Sequence, residues 1–126
     1  MSLDRLRAIP GFVYFATPYT DYSAGHDAAW RAATQLAEEL DAKGLEVFSP
    51  VRHFHPISDL LGHQALTHAD WMDVCRPFMK RAGALLVGKM PDWNKSKGVS
   101  DEIESFQKAR RPIFLLNVHT REISSL

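Results

Sequence analysis

The sequence predicts an α/β domain: a doubly wound parallel sheet of four to five strands with helices on both faces. Two observations predict it. Short apolar runs stand at residues 11–17, 83–88 and 112–118, and strands that read apolar throughout are those buried on both faces, as parallel strands are. Between them lie longer segments whose apolar residues return every three or four positions, the mark of an amphipathic helix. Strand–helix alternation joined by right-handed crossovers gives a doubly wound, three-layer sandwich of the flavodoxin or Rossmann kind.

The elements follow in order. GFVYFAT (11–17) is a buried strand ended by Pro18, because proline has no N–H for a ladder. From Gly25 to Lys43, Trp30, Ala33, Leu36, Ala37 and Leu40 share one helix face, and Gly44 stops the helix as a C-terminal cap. LEVFS (45–49) is a second strand closed by Pro50. Residues 51–68 carry His53, His55, His63 and His68 together with Pro56 and Gly62, and read as a loop holding a single helical turn. A second helix runs from about Ala69 to Arg81, with Trp71, Val74 or Cys75, and Phe78 on one face; Pro77 delays or kinks it. GALLVG (83–88) is the third strand and KMPDWNKSKG (89–98) a loop. Residues 99–110 form a third helix with Val99, Ile103, Phe106 and Gln107 near one stripe, and PIFLLNV (112–118) is the fourth strand. The tail from His119 reads as short and exposed. No repeat or low-complexity segment divides the chain, so residues 1–126 are expected to be a single domain.

A chain of 126 residues can bury one substantial core. Fifteen basic residues balance fifteen acidic ones, which argues against binding polymeric nucleic acid or an anionic membrane through bulk charge. A local pocket for one phosphate stays open. The single cysteine, Cys75, cannot close an internal disulfide, so no oxidising compartment is needed. Met1 to Pro10 lacks a signal-peptide core, and no run approaches the roughly 18 apolar residues of a membrane span. A cytoplasmic protein is expected.

Ligands of open α/β sheets bind beyond the carboxyl ends of the strands, which selects residues 16–22, 50–56 and 88–102. The first segment offers Ala16, Thr17, Pro18 and Tyr19; the second Arg52, His53 and His55; the third Asp92, Trp93, Ser96 and Gly98 before the acidic run of Asp101, Glu102 and Glu104. Gly98 with Ser96 at a helix start suits a phosphate or carboxylate, through free N–H groups and close backbone approach; an ordinary N-cap fits the same residues. Glu102 likewise reads as a dipole partner or as a reactive carboxylate. Arg52 and His55 read as substrate contacts or as solvated loop residues. The loop histidines have no recognised zinc spacing, so neither metal nor organic cofactor is expected. Trp93 stands in a loop beside the expected site, as a stacking or packing lid.

Tyr14-Phe15-Ala16-Thr17-Pro18-Tyr19 resembles the opening motif of the nucleoside 2-deoxyribosyltransferase superfamily. Trp93 to Glu102, with its core Ser-x-Gly-Val-x-x-Glu, looks like that superfamily's catalytic loop and helix. Ser49-Pro50 and His53-Phe54-His55-Pro56 look like its uncharacterised bacterial and phage branch. The likeness spans about residues 12–117. It implies that Glu102 attacks C1′ of the sugar, that a glycosyl-enzyme forms, and that Tyr14 orients the nucleophile. An ionised Glu102, favoured by the helix N-terminus, is part of that expectation. Ser96 and Gly98 match phosphate-contacting positions of the 2′-deoxynucleoside 5′-phosphate N-hydrolases, with Lys95, Lys97 and Arg52 able to add charge, so hydrolysis of a nucleotide is favoured over transfer. A non-catalytic nucleotide-binding module on the same fold is the alternative. The resemblance also implies a homodimer or larger assembly and an aspartate that helps the base to leave. Asp73 is the choice for it, before Asp70 and Asp92, although its spacing to the third strand is longer than the pattern and Ala82-Gly83 replaces the usual Ala-Asp.

Overall fold

The computed structural model describes residues 3–62 and 67–126. One sheet holds β1 (Val13–Ala16), β2 (Val47–Phe48), β3 (Ala84–Gly88), β4 (Ile113–Leu116) and β5 (Ile123–Ser125), in the order β2-β1-β3-β4-β5. The pairings of β1 with β2, β1 with β3 and β3 with β4 are parallel; β5 runs antiparallel to β4. The described helices are α1 (Leu3–Arg7), α2 (His26–Ala42), α3 (Pro50–Leu60), α4 (His68–Arg81) and α5 (Lys97–Lys108). The fold is thus α/β, with a mostly parallel sheet and helices on both sides.

The two-residue period of the strands divides the core. Val13 and Phe15 of β1, Leu86 of β3 and Phe114 of β4 pack against Leu36 and Leu40 of α2 and Leu6 of α1. Tyr14, Leu85 and Val87 face the other way, against Cys75 and Met79 of α4 and Val99 and Phe106 of α5. Gly83 lets the N-terminal segment cross the entrance to β3. A Cβ there would stand 2.1 Å from the Pro10 carbonyl oxygen, so glycine alone fits.

Two elements depart from the sequence reading. The stretch after Pro50 is a helix and not a loop. Ser49 caps it, its side chain accepting the Arg52 N–H at 3.1 Å, and Pro50 occupies the first position, where the missing N–H is no loss. Val51, His55 and Ser58 form its buried stripe, which outweighs the one backbone donor that Pro56 lacks. The tail is exposed at most of its positions, as expected, but it also adds a strand. The Asn117 side chain accepts the N–H groups of His119 and Thr120 at 2.9 and 3.0 Å. That turn returns the chain as β5 and buries Ile123.

From β1 the chain steps outward to β2, then crosses back to β3 on the opposite side of β1. A crevice follows at the carboxyl ends of β1 and β3, the switch point where open α/β sheets take ligands.

Candidate active site

A cleft of about 210 Å³ opens at this point. Thr17 and Tyr19 follow β1, Val51 opens α3, His68 and Trp71 lie on the first turn of α4, and Ser96, Gly98 and Glu102 belong to the start of α5.

Ser96 caps α5 by accepting the Val99 N–H at 3.3 Å. The helix then buries Val99, Glu102 and Phe106 on one stripe. Glu102 therefore occupies a position that the amphipathic pattern reserves for an apolar side chain. It is 5% exposed and opens only onto the cleft. Burial raises its pKa from 4.5 to about 8, opposed by the Tyr14 hydroxyl and reinforced by the Asp101 charge. The expectation of an ionised carboxylate is thus corrected. Glu102 sits in the second turn of α5, whereas the benefit of the helix dipole fades within the first, so desolvation wins.

Tyr14 is fully buried beside Glu102 and Cys75. Its hydroxyl lies within electrostatic reach of both, yet has no hydrogen-bond partner among the described residues. Burial first, then the nearby Glu102 charge and Cys75, hold its pKa well above the ordinary value. Burial likewise pushes the Cys75 thiol up to about 12, which makes it a packing residue and no nucleophile. The buried Thr17 hydroxyl, in the cleft wall, is also without a partner among the described residues. Buried polar groups are nearly always paired, so the open Thr17 hydroxyl and the buried Glu102 carboxyl leave this cleft ready for a ligand rich in oxygen.

Other expected residues stand one layer back. The Tyr19 hydroxyl meets His55 Nδ1 at 2.7 Å, and His55 Nε2 lies 3.2 Å from Asp27. His55 is buried under Trp30, with ring centroids 5.0 Å apart, so it braces Tyr19 and does not line the cleft. Tyr19 in turn stacks on Trp71 at 4.9 Å. Ala16 is core, and Pro18 lines a separate shallow pocket with Asp92 and Lys95. Gly98 lines the cleft itself. A Cβ on it would find nothing closer than His68 Cε1 at 3.9 Å and Ser96 Oγ at 4.0 Å.

Several expected contacts are corrected. Asp73 points outward from α4 and pairs with Arg76 at 2.7 Å, while Cys75 takes the inward position. Asp70 closes a capping box with Thr67 at the start of α4. Asp92 is exposed outside the cleft, in left-handed backbone at φ 60. Arg52 is spent on Glu38 at 3.1 Å, Asp41 at 2.7 Å and the Val47 carbonyl at 3.1 Å. His53 is exposed against Phe48 and Phe54. Trp93 packs half-buried against the core, as one of its two readings had it, and does not line the cleft. His63 lies outside the described residues. Among the described residues, no three His, Cys, Asp or Glu side chains converge as metal ligands.

Sequence reasoning missed one pair. His68 lines the cleft, and its Nε2 donates to Asp101 at 2.9 Å. That hydrogen bond, with Lys97 nearby, holds the Asp101 carboxyl below its usual range. The available signal was Thr67 with Asp70 three residues on, which starts α4 at His68.

A family model matches residues 11–118, which hold every residue of this cleft. The chain belongs to the family described as a domain of unknown function (DUF1937). In this DUF1937 member α1 and β5 fall outside the matched stretch. No curated protein matches the chain. No helix among its described residues is long and apolar enough to cross a membrane.

Proposed function

We propose that this protein breaks the N-glycosidic bond of a nucleoside or nucleoside 5′-monophosphate, with Glu102 as the nucleophile at C1′. One observation carries the reading: a carboxyl fills a core position of α5 at the floor of the cleft, with the unpartnered Tyr14 hydroxyl behind it. Attack by the carboxylate and departure of the base give a glycosyl ester on Glu102, which water or a second base then resolves. Thr17, in the cleft wall, has a hydroxyl free to meet the sugar, and Tyr14 stands behind Glu102 to orient it. The capped start of α5, with Ser96 and Gly98 in the cleft wall, suits a 5′-phosphate, which favours hydrolysis of a nucleotide over transfer.

The strand order supports a flavodoxin-like, doubly wound, three-layer reading of the sheet, with β5 as the departure. We also take the protein to act in the cytoplasm as a homodimer or larger; Leu60 and Leu61, exposed at the end of α3, give such an assembly an apolar patch.

The test is a panel of nucleosides and their 5′-monophosphates, assayed for free base. Wild type should release base from at least one, and Glu102→Ala should abolish release while keeping the fold. Mass spectrometry should find a glycosyl adduct on Glu102. Binding without release or adduct would leave only a nucleotide-binding module. Because the attacking form is the carboxylate, kcat/KM for a base that leaves without needing a proton should climb with pH, and its rising limb should end near 8, the value of the free enzyme. A flat profile between pH 5 and 8 would exclude this role for Glu102.

A further inference from the structure

A glycosidic base leaves poorly as an anion, so the reading above needs a proton at the far side of the C1′–N bond. The aspartates expected for that task do not reach the cleft: Asp73 pairs with Arg76 on the outer face of α4, Asp70 caps that helix, and Asp92 lies in a neighbouring pocket. The Tyr19 hydroxyl is engaged with His55.

We infer that His68, positioned by Asp101, is the general acid of this cleft, a role that rests on the glycosidic reading of Glu102. His68 stands on α4, across the cleft from the α5 segment that carries Gly98 and Glu102. The space a Gly98 side chain would fill opens directly onto the His68 ring. Asp101 takes the Nε2–H at 2.9 Å, which fixes the ring and leaves Nδ1 without a hydrogen bond among the described residues. In the protonated ring both nitrogens carry hydrogen, and the Nδ1–H is the one that Asp101 does not take. The two side chains are 27% and 33% exposed, so their pairing is partly sheltered from solvent. Asp101 also has Lys97 at 3.5 Å, but Lys97 is exposed and the His68 contact is the shorter one.

The step balances. Glu102 forms a bond to C1′ as the C1′–N bond breaks. The bonding pair goes to the base nitrogen, which takes the proton from His68 and leaves neutral imidazole. In the second half water attacks C1′, its proton returns to His68, and the glutamate ester is cleaved.

The decisive property is dependence on the leaving group. The probes are guanine and 7-methylguanine nucleosides, as ribo- and deoxyribonucleosides, each with and without 5′-phosphate. The methylated base leaves as a neutral molecule and needs no proton. If the protein takes only pyrimidines, uracil and 5-nitrouracil replace them. His68→Ala should slow release of the poor leaving group by about 100-fold or more, while release of the activated base changes by no more than a few-fold. Asp101→Asn should give the same selective loss in weaker form, a pattern that mere loss of structure would not produce. His68→Gln, which retains bulk at the start of α4, gives the same reading should the alanine variant fold poorly. Equal slowing of both probes in the His68 variants, or slowing of neither, overturns the assignment. A wild type that releases base from none of these, nor from the wider panel, sinks the glycosidic reading and the proton donor with it. An active wild type with a dead Glu102→Ala and indiscriminate His68 variants sinks the donor alone.

Discussion

At the residue scale the cleft separates two positions that the sequence joins. Ser96 and Gly98 both suggest a phosphate seat, yet their substitutions test different things. Ser96 caps α5, so Ser96→Ala should cost about 1 kcal/mol of stability besides raising KM for monophosphates more than for nucleosides. Gly98 is the cleaner probe. Its added Cβ meets only ordinary contacts, and alanine is the better helix former. Gly98→Ala should therefore fold at least as well as wild type, and its KM should rise because the methyl occupies cleft volume. Unchanged KM for every substrate would mean that ligand does not approach this stretch of backbone.

At the scale of elements, α3 decides how the second strand's exit is used. Ser49, Pro50 and the buried stripe of Val51, His55 and Ser58 organise a helix, and Arg52 ties it to α2 through Glu38 and Asp41. Arg52→Ala should lower stability by roughly 1–2 kcal/mol, since a part-buried arginine loses both ion pairs and a backbone hydrogen bond. The ratio of KM values for monophosphate and nucleoside should stay at its wild-type value, because Arg52 faces α2 and not the cleft. A selective loss of monophosphate binding would reverse that placement. At the other edge, Ile123→Ala should cost about 2–4 kcal/mol, seen in denaturant melts, because β5 buries that side chain against the core.

At the scale of the whole molecule, Glu102 sets one pH dependence of stability. Below pH 4.5 the carboxyl is protonated in both folded and unfolded chains and contributes no difference. Above it the unfolded chain loses the proton while the folded protein keeps it until about 8, so stability falls as pH rises through that window. At pH 7 the penalty is on the order of 3 kcal/mol. Glu102→Gln should consequently be more stable than wild type at pH 7 to 8, with the gap closing toward pH 4.5 in urea melts. A gap independent of pH would show that the carboxyl is not buried in a neutral form. This is the usual tension between an active-site residue and the fold that carries it.

The sequence by itself determined the strand–helix alternation, the apolar strands β1, β3 and β4, and the segments that flank the cleft. These depend on composition and periodicity over consecutive residues, which local physics reads directly. It also singled out Glu102, Thr17 and Gly98, which the fold gathers at one cleft, and Tyr14, which it buries behind Glu102. Only the tertiary structure decided how side chains on separate elements face each other. Asp73 and Cys75 differ by two positions on one helix, yet one lies in solvent and the other in the core. Arg52 found carboxylates on α2, Pro56 was carried inside a helix by a buried stripe, and His68 met Asp101 from 33 residues away. Contacts of that range are set by packing across the sheet, and no local pattern in the chain encodes them.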